Sequence, residues 1–190
     1  MPQTKPMTFA RRALCLLVIS MLALVATARP SAASSAGEIE ADVNATLARF
    51  YRHVVGSQDL AGRAAGVLVF PSIVKAGIGI GGEYGEGALR IKGKTAGYYN
   101  SISASVGFQL GVQARSVIIL FMTEDALGSF RRKDGWKVGV DGSVALITLG
   151  AGGSIDTNQI TKPVIGFILD EKGLMYNLTL EGSKISRIKR

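Results

Sequence analysis

Among 190 residues there is one Cys, one His and one Trp, and no acidic residue occurs before Glu38. A lone Cys closes no intramolecular disulfide, and one His beside one Cys makes no ordinary zinc site, so no metal or cofactor is expected. The G-x-S-x-G nucleophile elbow is absent, and His53 has no surrounding partner motif for proton transfer. Asp and Glu remain as possible acid and base, but no local pair of carboxylates points to one, and the sequence reads as a non-enzyme. Long apolar runs are also missing outside the N-terminus. The one there, Ala13 to Ala26, rises about 21 Å as a helix, short of a hydrocarbon core of about 30 Å.

What is present begins with an address. Lys5, Arg11 and Arg12 precede that apolar run, and small residues follow it to Gly37, the three-part form of a secretory signal peptide. Cleavage fits after Ala28 or after Ala36; Pro30, close behind the first position, favours the second. Residues 1–36 are therefore expected to be a signal peptide and 37–190 a single domain, placed in the periplasm or cell envelope. A twin-arginine reading of Arg11 and Arg12 matches its surroundings poorly. Cys15 opens the apolar run instead of closing it, which is the wrong place for a lipoprotein cleavage box. The first 36 residues hold four basic residues and no acid, so the formal +8 of the whole chain becomes 18 Lys and Arg against 14 acids beyond them. A remaining +4 is a mild preference for anionic surfaces and lacks the clustering of a nucleic-acid binder.

All 24 glycines fall after residue 36, roughly twice the usual density of about 7%. Interleaved with Val, Ile, Leu and aromatics, they suggest strands, bulges and tight turns. A helix comes first, over Glu38–Val55, because Ile39, Val43, Leu47, Phe50 and Val54 make one apolar stripe. Its acids lie early and Arg49, Arg52 and His53 late, as the helix dipole favours, and Gly56 ends it. From Gly66 the period is two. Strands are expected from Gly66 to Phe70, ending at Pro71, then around Ile78 and Ile80, over Ser101–Arg115, and over the continuously apolar Val117–Met122. Others are expected over Trp136–Leu149, Val164–Leu169 and Leu174–Leu180, the last two as a hairpin. Thr123 can cap a short helix near 123–132, with Ala126, Leu127 and Phe130 facing inward. The fold class is then α+β: an antiparallel, strongly curled, barrel-like β-sheet with an N-terminal amphipathic helix and that short helix.

Two glycine motifs fail on context. Ala88–Thr95 reads A-x-x-x-x-G-K-T, but Leu89–Lys92 looks like strand where a phosphate-binding loop needs glycines, and no helix follows. Gly77–Gly87 lacks the helix and later acid of a dinucleotide site and reads as a Gly-rich hairpin. Three basic groups stand out: Arg90, Lys92 and Lys94 at strand spacing; Arg131, Arg132 and Lys133 after the short helix; and Lys184, Arg187, Lys189 and Arg190 at the tail. Each alone is a solvated surface. Converging with Arg49 and Arg52, they would form a patch for lipid phosphates, at about 1 kcal/mol per charge near an anionic bilayer. Trp136 beside Lys137 is either core or an interfacial anchor.

Several ordered segments resemble the SYLF lipid-binding domain family: AAGVLVF at Ala64–Phe70 with Lys75, Ala76 and Gly77, GGEYGEGAL at Gly81–Leu89, and GFQLGVQA at Gly107–Ala114. Thr123, Asp125, Ala126, Phe130, Gly173, Leu174 and LEGSKI at Leu180–Ile185 continue the likeness. The resemblance implies a non-enzymatic domain that binds phospholipid surfaces through an N-terminal amphipathic helix and nearby basic residues. The candidates here are Arg49, Arg52, Lys75, Arg90, Lys92, Lys94, Arg131, Arg132 and Lys133. Glu38, Glu40 and Asp42 make the start of the helix acidic where eukaryotic relatives carry Lys. The expected partner is an anionic phospholipid membrane surface and not nucleic acid. The alternative is a structural or protein-interaction module of the envelope whose helix stays packed on the sheet.

Overall fold

The computed structural model describes residues 34–147, 161–170, 173–174, 180 and 182–190, with backbone alone at 76–80, 105–112, 170 and 173–174. Residues 1–33 of the expected signal peptide, most of the expected Leu174–Leu180 strand, and the end of Trp136–Leu149 lie outside the described residues.

Helix α1 (Ala36–His53) starts on a capping box. Ser35 Oγ accepts from the Glu38 backbone N–H, and Glu38 Oε2 accepts from the Ser35 N–H at 2.7 Å. The helix ends in basic Arg52 and His53, and a short helix α2 (Ser57–Arg63) follows through Gly56 at φ 80°. Then come β1 (Gly66–Ile91), β2 (Lys94–Phe121), helix α3 (Glu124–Arg132), β3 (Trp136–Lys137), β4 (Ala145–Leu146), β5 (Val164–Asp170), β6 (Gly173–Leu174) and β7 (Lys184–Ile188). Thr123 caps α3 by accepting from the Ala126 N–H.

Two strands of 26 and 28 residues form the frame, paired antiparallel from Gly66 opposite Phe121 to Ile91 opposite Lys94. On its other edge β2 pairs with β7 near Tyr98–Ile102 and with β5 near Ser116–Phe121. β3 flanks β7, and β6 turns back on β5. Among the described residues this makes a seven-stranded sheet, curled into a half-barrel rather than a closed barrel. It is not wholly antiparallel, because β4 runs parallel to β5. Pro71 does not end a strand as expected. The register shifts between Phe70 and Ile73, and that bulge takes up the residue that cannot donate to the ladder. Nor is Gly77–Gly87 a hairpin of its own, since it lies within β1. β1 curls so far that its end meets its beginning. A Cβ at Gly87 would overlap the Val69 carbonyl, and one at Gly85 would come within 2.6 Å of the Ser72 carbonyl oxygen. Only glycine admits that approach.

Alternation along these strands feeds two cores. Leu68, Phe70, Val117, Ile119 and Phe121 join Leu127 and Phe130 of α3 on one face. Val67, Val69, Ile118, Leu120, Ile165 and Phe167 join Ile39, Val43, Phe50 and Val54 of α1 on the other. The expectation that Val117–Met122 is covered on both sides holds, although the segment is the end of β2 and not a strand of its own. Trp136 is buried against Phe130, with ring centroids 5.6 Å apart and nearly perpendicular, so it is core and not an interfacial anchor.

Candidate functional site

On the α1 face, an open groove of about 930 Å³ lies between α1, α2 and the turn joining β1 to β2. Asn44, Leu47 and Tyr51 come from successive turns of α1, where spacings of three and four put them on one side. From α2 and its exit come Ala61, Gly62, Arg63 and Ala64, residues mostly too small to fill the space, and from the sheet Val67. The mouth holds Arg63, Arg90 and Lys92 against one lining acid, Asp59.

Each cation is held differently. Arg90 reaches from the end of β1 to α1, its Nη2 2.6 Å from Glu40 Oε2 and 2.8 Å from Asn44 Oδ1. Its buried Nε has no hydrogen-bond partner among the described residues. Glu40 also accepts from the hydroxyls of Thr95 and Tyr98. Burial, reinforced by that bond to Glu40, pushes the Tyr98 hydroxyl pKa upward. Arg63 donates from Nε to the Asp59 carbonyl oxygen at 3.4 Å, and neither Arg63 nor Lys92 has a carboxylate in ion-pair range among the described residues. Lys92 and Gly93 form a two-residue turn with φ 48° and 75°. Both positions call for the left-handed region, which Asn, Asp and Gly occupy cheaply and Lys does not. On the groove floor, burial raises the Tyr51 hydroxyl pKa, so it stays a neutral donor at physiological pH.

The nine basic residues singled out from sequence do not converge. Arg90 and Lys92 meet at the groove, and Lys94, exposed, starts β2 just beyond the turn. Lys92 sits in that turn, so the three do not occupy alternate positions of one strand. Arg49 is spent on the fold: its Nη2 donates to Ser116 Oγ at 2.8 Å, and Ser116 donates to the Pro71 carbonyl beside the bulge. Arg52 is exposed on the last turn of α1. Lys75 lies 3.9 Å from Glu83, which is paired more closely with Arg115 at 2.6 Å. Arg131, Arg132 and Lys133 end α3 on the opposite face of the sheet, and Lys133 pairs with Asp141.

Sequence reasoning missed Arg63, Tyr51 and α2 itself. The signal for α2 was present in Asp59 near its start and Arg63 at its end, four residues apart. The helix is only seven residues long, too short for an apolar stripe to declare itself.

Residues 102–190 match the family model for Ysc84, described as Las17-binding protein actin regulator. Residues 102–190 therefore match the SYLF family. The matched segment begins inside β2, so the SYLF match covers β5, β7 and α3 while the groove residues precede it. No curated protein matches the chain. Among the described residues no helix is long and apolar enough to cross a membrane, and no cluster of three or more His, Cys, Asp or Glu side chains could hold a metal ion.

Proposed function

We propose that this protein is a non-enzymatic, peripheral phospholipid-binding domain of the bacterial cell envelope, exported by residues 1–36 and docking on anionic lipid with α1 still packed on the sheet. The observation that carries the reading is the groove, where Leu47, Tyr51 and Val67 meet Arg63 and Lys92, which have no carboxylate partner among the described residues, with exposed Lys94 just past the turn. Apolar surface bounded by unpaired cations suits an interface of acyl chains and phosphates. Of the apolar stripe of α1, Leu47 alone lines the groove, and Ile39, Val43, Phe50 and Val54 are each no more than 3% exposed.

Sedimentation with vesicles tests the proposal, using a chain that begins at Arg29 and so retains the compact unit Ser34–Arg190. Binding to phosphatidylglycerol-containing vesicles, weakened by salt and absent from phosphatidylcholine alone, is expected. Absence of binding at every composition refutes it and favours a protein-interaction module, the reading that the Las17-binding description of the family supports.

A further inference from the structure

The groove is more specific than adhesion requires. Its volume, about 930 Å³, falls within the range of small-molecule sites, about 300–1,000 Å³, and its lining sets apolar Leu47, Tyr51 and Val67 beside polar Asn44 and Gln58 and charged Asp59, Arg63, Arg90 and Lys92, the two halves an amphiphile needs. Three features point to an anion at its mouth. Arg90 keeps a buried, unpartnered Nε even though Glu40 and Asn44 occupy its Nη2. Arg63 and Lys92 have no carboxylate partner among the described residues. Lys92 is the only described non-glycine residue at positive φ, in a turn where Asn would be less strained. A position that accepts backbone strain to keep an ammonium at a groove mouth is an argument for what the ammonium holds.

Resting on the lipid reading above, we propose that the groove seats one molecule of a phosphate-bearing amphiphile with a single acyl chain in contact. The chain would lie along Leu47, Tyr51, Ala61, Ala64 and Val67, and the phosphate would lie between Arg63 and Lys92, with Arg90 behind it. Recognition is then of one lipid and not only of a charged surface, and α1 need not leave the sheet for it.

The test uses the chain from Arg29 and three soluble probes below micelle-forming concentration: mono-acyl phosphatidylglycerol, mono-acyl phosphatidylcholine and glycerol phosphate. The backbone amide resonances of Gly62 and Gly93, which line the groove, report occupancy. Saturable shifts with the anionic lipid alone are expected. Arg63→Glu and Lys92→Asn should each weaken them about fivefold or more, while Lys92→Asn leaves the melting temperature equal or higher because Asn tolerates the turn. The double variant Arg131→Glu/Arg132→Glu, on the opposite face, should leave them unchanged. Vesicle binding without these shifts, or equal weakening by the opposite-face variant, overturns single-lipid capture and leaves surface docking standing. Equal shifts with glycerol phosphate reduce the site to a phosphate site and overturn the amphiphile. Failure to bind vesicles or any probe overturns both proposals.

Discussion

Replacing Phe50 with Ala tests whether α1 is a fixed wall of the fold or a detachable membrane helix. Phe50 is fully buried, and its ring stands 4.7 Å from that of Phe167 on β5. Truncating such a ring removes transfer energy and leaves a cavity, together costing about 3–5 kcal/mol. That is a large part of the roughly 5–15 kcal/mol that holds a typical domain. The wider comparison explains why the helix stays put. Ile39, Val43, Phe50 and Val54 are all buried, and at about 1.5–3 kcal/mol each they hold α1 by roughly 6–12 kcal/mol. Moving those four side chains into lipid would about recover their own burial. It would also leave Val67, Val69, Ile118, Leu120 and Phe167 facing water, with nothing to offset that exposure. Urea unfolding of the chain from Arg29, followed by circular dichroism, reads the cost directly: the midpoint should drop while the slope is unchanged. A loss below about 1 kcal/mol would refute the reasoning, because a Phe whose removal costs so little does not close a core.

Other expectations follow from particular contacts. Ser35→Ala should cost about 1 kcal/mol by removing the α1 cap, and a chain beginning at Gly37 should melt lower than one beginning at Arg29, because a cut after Ala36 discards Ser35. The Ser35 backbone N–H, and next its hydroxyl, hold the Glu38 carboxyl below its ordinary value. Because the folded value is the lower one, Glu38 contributes stability above the ordinary glutamate range of about 4.3 that is lost as pH falls beneath it. Melting temperature measured from pH 6 to 3 should accordingly decline less for Glu38→Gln than for the native chain. Arg115→Met leaves Glu83, 9% exposed, with only the longer contact to Lys75 at 3.9 Å, and should cost about 2–4 kcal/mol, whereas Glu83→Leu with Arg115→Met should recover most of that loss in chemical denaturation. Gly87→Ala, which sets a methyl against the Val69 carbonyl, should cost at least about 1–3 kcal/mol and leave little soluble folded protein on expression.

Features set by neighbours a few residues apart were legible in the chain. The stripe of α1 is visible at spacings of three and four, and the cap at Thr123 precedes its acids directly. The two-faced run at Val117–Phe121 is visible as unbroken hydrophobicity. The SYLF likeness drawn from short ordered segments agrees, from Gly107 onward, with the family match over residues 102–190, while the segments at Ala64–Leu89 precede it. Much less of the site was legible. Arg90 and Lys92 were named for their charge, but Arg49 and Lys75 looked equally available and are held by Ser116 and Glu83. Arg49 finds its partner 67 residues away, and no local pattern announces such a pairing.

The leading helix, the alternation that makes each strand two-faced, and the lack of an intramolecular disulfide in a chain with one Cys are properties of local spacing and composition, and the sequence determined them alone. Tertiary structure decided that two very long strands would curl until Gly87 meets Val69, that α1 would spend Ile39, Val43, Phe50 and Val54 on the sheet, and which cations at one groove would have no carboxylate partner among the described residues. The physical reason is range. Periodicity acts over one or two turns of chain, whereas curvature and charge pairing depend on backbone and side chains that only folding brings within a few ångströms.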